Sequence, residues 1–140
     1  MSKKIILNLS GHPLREDQIK VKAKFVLLSP VGQSGGSPAV DPDKVRENAQ
    51  GEIVKEAERL LSQYIEDIKA NNVLAIIPPG LSTLAIGVIA FYHGVAGHFP
   101  KILTSVRNTD GEFEFYELDP QQIREYARTI RVYPVHKVSQ

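Results

Sequence analysis

Residues 73 to 83 read Val-Leu-Ala-Ile-Ile-Pro-Pro-Gly-Leu-Ser-Thr, and no other stretch limits the fold so tightly. The apolar run 73–77 is a strand covered on both faces. Pro78, Pro79 and Gly80 stop it, because proline has no amide donor and glycine lets the chain turn. Ser82 and Thr83 then offer hydroxyls to cap a helix that starts at once. Strand, tight turn and helix start make up the repeating unit of an α/β sheet. A helix start also aims free backbone N–H groups at one point, with the positive end of the helix dipole behind them. Pro79, Gly80, Leu81, Ser82 and Thr83 are therefore candidate ligand-binding residues for a phosphate or another anion. The same residues also suit an ordinary strand-to-helix turn.

The rest of the chain repeats this alternation. Lys4–Leu9 is an apolar strand broken by Ser10-Gly11-His12-Pro13. A weak helical or irregular crossover covers 14–21, and Ala23–Ser29 is a second apolar strand. The Gly- and Ser-rich segment 31–40 is a mobile loop. Asp41-Pro42 opens a long helix whose apolar residues, from Val45 through Ile53, Leu60, Leu61 and Tyr64 to Ile68, step by three and four. Gly51 is the place where it would bend, and Asn71-Asn72 ends it. The helix from Ser82 to about Gly94 is apolar all round, which requires cover on every side and leaves room for a second subunit to supply part of it.

Lys101–Arg107 and Glu112–Leu118 flank an Asp-Gly turn and form a hairpin, the second strand lying antiparallel at the edge. Asp119-Pro120 opens a last helix, with Gln122 placed as the far member of a capping box and Ile123, Tyr126, Ala127 and Ile130 as its buried stripe. The expected fold is α/β, a three-layer Rossmann-like sandwich with a mostly parallel sheet and a C-terminal antiparallel hairpin strand. One domain spans 1–132, followed by a tail, 133–140.

Composition narrows the function. With 17 Lys and Arg against 16 Asp and Glu in 140 residues, no whole-molecule basic field exists to hold long nucleic acid. A small polyanion needs only a local pocket. The absence of cysteine removes disulfides, thiolate metal sites and thiol nucleophiles, and fits a reducing cytoplasm. The N-terminus enters a strand without the apolar run of a signal peptide, and the apolar helix is far short of the roughly 20 residues that span a bilayer. A cytoplasmic protein without membrane contact is expected. The four histidines have no i, i+4 pair, so no metal site is expected, and no cofactor motif is present.

Ligands of open α/β sheets bind outside the carboxyl ends of the strands. Ser10, Gly11 and His12 follow one strand, Pro79 to Thr83 follow another, and Arg107 ends a third. If the first two strands are neighbours, their loops flank one crevice. Each candidate also has a plain structural reading: His12 as a turn residue, Arg107 as a surface charge, and Arg124, Arg128 and Arg131 as a solvated helix face.

Taken in order, these residues resemble a known family. Leu-Asn-Leu-Ser-Gly-His-Pro-Leu (7–14), Ile-Pro-Pro-Gly-Leu-Ser (77–82), Tyr-His-Gly-Val-Ala-Gly-His-Phe-Pro (92–100) and a strand ending in Arg107 resemble the Csx-fifteen accessory proteins of type III CRISPR loci. The short 14–22 segment and the Ser-Gly pair before His12 depart from the family's pattern. The resemblance implies a CARF-like domain that binds a cyclic oligoadenylate, above all cyclic tetra-adenylate, across the two-fold axis of a homodimer. A protein that holds the ring intact acts as a sponge and damps the effectors that the ring activates.

Two other readings stay open. One is a metal-independent ring nuclease, with Ser10 and His12 as its catalytic candidates and Ser82 and Arg107 assisting. The other is a dimeric interaction module that binds no nucleotide. A larger assembly formed on ligand binding is a further option for the partner state.

Overall fold

The computed structural model describes residues 3–30 and 40–132. The loop expected over 31–40 (save Val40), His136 and the tail 133–140 lie outside the described residues. Five strands form one sheet in the order β2-β1-β3-β4-β5. They are β1 (Ile5–Asn8), β2 (Val26–Leu28), β3 (Val73–Ile77), β4 (Ile102–Arg107) and β5 (Phe113–Leu118). The first four are mutually parallel, and β5 returns antiparallel to β4 with Ser105 opposite Phe115.

Right-handed crossovers decide which face each connection covers. The chain moves one way from β1 to β2 and the opposite way from β2 to β3 and on to β4. The first connection therefore lies on one face and the later ones on the other. Helices α1 (Pro42–Leu61), α2 (Ile65–Lys69) and α3 (Ser82–Ala96) bury Leu60, Leu61, Ile68, Leu84, Val88 and Tyr92 against Ile5, Leu7, Ile76 and Ile102. Each fully buried side chain of this kind contributes about 1.5–3 kcal/mol.

The opposite face carries Ile6, Ala75, Ile77, Leu103 and Phe115, covered by Leu14, Ile19, Val21 and Phe25. Among the described residues that cover holds one 3₁₀ turn, Glu16–Gln18, and no α-helix. Of the two readings of 14–21, helical or irregular, the structure has the irregular one, so the third layer is a thin crossover, because segment 14–25 has too few apolar residues at helical spacing to form a stripe.

The long helix is also more broken than its periodicity implies. Asn48 has non-helical φ/ψ inside α1, and its Oδ1 accepts the Gly51 N–H at 2.9 Å. Asn48 caps a new helical segment, so the bend sits at Asn48 and not at Gly51. A second irregularity, the 3₁₀ turn Ser62–Tyr64, separates α1 from α2. There the Tyr64 hydroxyl donates to Ser29 O at 2.9 Å and pins the end of β2. Asp41 Oδ1 accepts from Asp43 N and caps α1 as expected.

α3 and α1 meet at a glycine. A Cβ on Gly87 would stand 2.3 Å from Ile53 Cγ2. The cover that the all-round apolar α3 demands is incomplete in the single chain, where Ile86 is 67% exposed. The last helix, α4 (Pro120–Val132), is capped by Asp119 Oδ1, which accepts from Gln121 N and Gln122 N at 3.0 and 3.3 Å. Its apolar stripe, expected to be buried, is not: no residue of α4 is buried. Among the described residues no helix is long and apolar enough to cross a membrane.

Two outcomes follow from this packing. Gly87→Val lowers unfolding stability in urea by about 1–3 kcal/mol through overpacking, and the penalty shrinks in an Ile53→Ala background. Burial pushes the Tyr92 hydroxyl up to about 12, against about 10 in an unfolded chain. The folded state therefore keeps this proton where the unfolded state releases it. Stability is full below about pH 10 and falls as the pH rises toward 12, and Tyr92→Phe flattens that fall in a pH series of thermal melts.

Candidate ligand-binding site

β1 and β3 are neighbours, with Asn8 opposite Ile77 and Leu9 N–H donating to Ile77 O at 2.9 Å. The loops that follow them leave the sheet side by side. One connection then turns to each face, which makes this the point where an open α/β sheet parts and a crevice forms. Ser10, Gly11 and His12 follow β1 at this point and Pro79 to Thr83 follow β3.

Asn8 shapes the first loop. It is 3% exposed, a polar residue between Leu7 and Leu9, which are both fully buried. Its Oδ1 accepts from the Ser10 amide at 3.1 Å and the Ser10 hydroxyl at 2.6 Å, and its Nδ2 donates to His12 O at 2.6 Å. Ser10 Oγ in turn accepts from the His12 amide at 3.1 Å. Gly11 completes the turn at φ 83°, a conformation that favours glycine. The His12 backbone is held on both sides while its exposed imidazole has no polar partner among the described residues. Sequence reasoning missed Asn8, and the signal for it is an asparagine inside an otherwise apolar strand.

The second loop corrects an expectation. Ser82 does not cap α3. The N-cap is Leu81, in an extended conformation with no side-chain hydrogen bond, and Ser82 is already the first helical residue. Its hydroxyl is one position too late to take the cap. The first hydrogen bond of the helix runs from Ala85 N to Leu81 O, so the amides of Ser82, Thr83 and Leu84 lie ahead of the helical ladder. Pro79 is buried, whereas Gly80, Leu81, Ser82 and Thr83 are exposed. An added Cβ on Gly80 would meet nothing within 4 Å, so this side of the crevice is open. Neither loop contains a carboxylate.

Arg107 is set apart from the loops. β3 pairs with β4 through Ile76 and Ile102, so Arg107 lies four residues beyond the level at which β3 ends. At about 3.3 Å per residue it stands roughly 13 Å up a projecting hairpin. Its guanidinium lies 4.8 Å over the Phe113 ring and has no ion-pair partner among the described residues. Arg15, by contrast, is committed: it binds Glu112 at 3.1 Å and Asp17 at 3.0 Å, which raises its pKa and ties the first crossover to the hairpin turn.

An apolar groove adjoins the second loop. It lies between α1 and α3, has a volume of about 1010 Å³, and is lined by Leu81 and Thr83 together with Val45, Ile53, Val54 and Ile86. Among the described residues no cluster of three or more His, Asp or Glu is arranged to hold a metal ion. No family model, no curated protein and no solved structure matches the chain.

The role of Asn8 is testable by two substitutions. Asn8→Ala removes three hydrogen bonds and lowers stability by about 1–3 kcal/mol in urea unfolding. Asn8→Asp keeps the acceptor for Ser10 but sets a carboxylate against the His12 carbonyl and beside the crevice. It weakens binding of any anionic ligand, read by isothermal calorimetry, more than Asn8→Ala does.

Proposed function

We propose that this protein binds a cyclic oligoadenylate, above all cyclic tetra-adenylate, and sequesters it as a sponge. The observation that supports the reading is the pairing of β1 with β3, from which the Ser10-Gly11-His12 and Pro79–Thr83 loops leave the sheet side by side. These are the loops through which the chain resembles the Csx-fifteen proteins. In this reading the sheet is CARF-like, and the free amides at the start of α3 receive ring phosphates. His12 and the loop backbone meet a nucleotide edge, and Arg107 reaches in from the hairpin. The assembly is a cytoplasmic homodimer, in which a two-fold axis doubles a modest site to match a symmetric ring.

Ser10 is set aside as a catalytic group by its own bonds. Its hydroxyl donates to Asn8 Oδ1 and accepts from the His12 amide, so it is engaged in shaping the loop. Cleavage of the ring without metal needs a group free to move a proton beside an aligned 2′-hydroxyl, and of the two catalytic candidates only the exposed His12 imidazole is free for that part.

Radiolabelled cyclic tetra-adenylate incubated with excess protein, without metal, shifts on a native gel and stays intact on a denaturing gel. Linear product would instead make the protein a ring nuclease, and no shift at micromolar protein would overturn the reading. Arg107→Ala weakens binding about 10-fold or more, as loss of a charge-assisted contact of about 1.5–3 kcal/mol predicts.

A further inference from the structure

Two apolar surfaces are left without cover among the described residues, and their charges are opposite. The first is convex. On α4, Ile123, Tyr126, Ala127 and Ile130 follow one another at i, i+3, i+4 and i+7 and so share one stripe. Ile123 is 54% and Tyr126 70% exposed. The helix has 13 residues, and an isolated helix of that length is marginal in water. Its hydrogen bonds to the rest of the described residues are at its start, where Asp119 caps it and Gln121 Oε1 accepts from Phe99 N at 3.0 Å.

The second surface is the concave α1–α3 groove. Small residues, Ala49, Gly87 and Ala90, line it between the larger Val54 and Ile86. Large side chains on a helix stripe seat over such positions when one helix packs along two others.

The charges agree with this seating. On α4, Arg128 and Arg131 flank the stripe with no ion-pair partner among the described residues, and the helix's one carboxylate, Glu125, is taken by Arg124. Glu58 lies one helical turn after Val54, which lines the groove. It is exposed and unpaired among the described residues. The groove's own cation, Arg46, is neutralised by Asp43.

β5 runs antiparallel and ends with Leu118 opposite Ile102, the first residue of β4. α4 therefore starts at the end of the sheet opposite to Leu81 and Thr83, which line one end of the groove.

We infer that α4 of one copy lies in the α1–α3 groove of a second copy. Given reciprocally, each chain supplies one helix and one groove, and the contact closes as a dimer. The inference deepens the homodimer proposed above and rests on that dimer, without depending on the nucleotide.

The chain has no cysteine, so disulfide trapping reads the contact cleanly. Tyr126→Cys and Ile86→Cys, both at exposed positions, are purified separately, then mixed and mildly oxidised without nucleotide. The expected result is a covalent dimer containing one of each variant, and covalent dimers again when both substitutions share a chain. An internally closed monomer from the double variant, or no crosslink, overturns the docking. Light scattering of the unaltered chain separates the two claims. A dimer without the Tyr126–Ile86 disulfide overturns this interface alone, whereas a monomer overturns the dimer itself. Glu58→Arg and Arg128→Glu each weaken dimerisation several-fold, and together they restore it. Failure of that restoration also counts against the docking.

Discussion

The backbone pairing of β1 with β3 is the constraint on which the rest of this structure depends. It places two strands side by side that are separated by more than sixty residues of chain. Once they are adjacent, the handedness of crossovers leaves little choice. The β1–β2 connection must take one face and the helices the other. The crevice at the strand ends is the gap between those two departures. Asn8, at the last paired position of β1, converts that gap into a shaped loop by spending its side chain on the backbone just beyond it.

The two faces of the sheet are unequal as a result. The helical face carries the larger core, with Leu60, Leu61, Leu84 and Val88 fully buried. The other face is closed by Leu14, Ile19, Val21 and Phe25 on an irregular segment, which cannot bury as much surface as a helix would. The helical side is itself oversized. α1 runs over 20 residues in two segments broken at Asn48, whereas β1 has four, about 13 Å of strand. The excess leaves apolar surface on α1 and α3 that a single chain does not close.

Much of this was legible in the sequence, for physical reasons. Val73–Ile77 was readable to the residue because its start and stop are chemical: asparagines before it, and prolines and glycine after it. The hairpin from Ile102 to Leu118 was readable from its Asp-Gly turn and the alternation of Phe113 and Phe115. The helix starts at Asp41 and Asp119 were readable because an acceptor before proline has one structural use. What escaped depends on spatial neighbours. Ser82 carries a strong capping signal, yet the turn geometry places Leu81 at the cap. Asn48 starts a new helical segment by accepting the Gly51 N–H with its side chain, which a count of apolar steps does not reveal. The stripe of α4 reads as buried from its periodicity, but periodicity does not say which molecule buries it. At the candidate site, the two loops were each visible in the sequence, whereas their adjacency needed the strand order.

The first crossover has one more consequence. Lys20 N–H donates to Phe115 O at 2.8 Å, Gln18 Nε2 donates to Phe113 O at 3.0 Å, and Ile19 forms a parallel bridge with Phe115. These bonds occupy the outer backbone of β5, the strand at one border of the sheet. The opposite border, β2, is only three residues long. A sheet with one border occupied and the other so short offers little template for a foreign strand. Copies of this protein are thereby steered away from joining through shared backbone ladders, the route that leads to runaway fibrous aggregation, and toward contacts made by side chains.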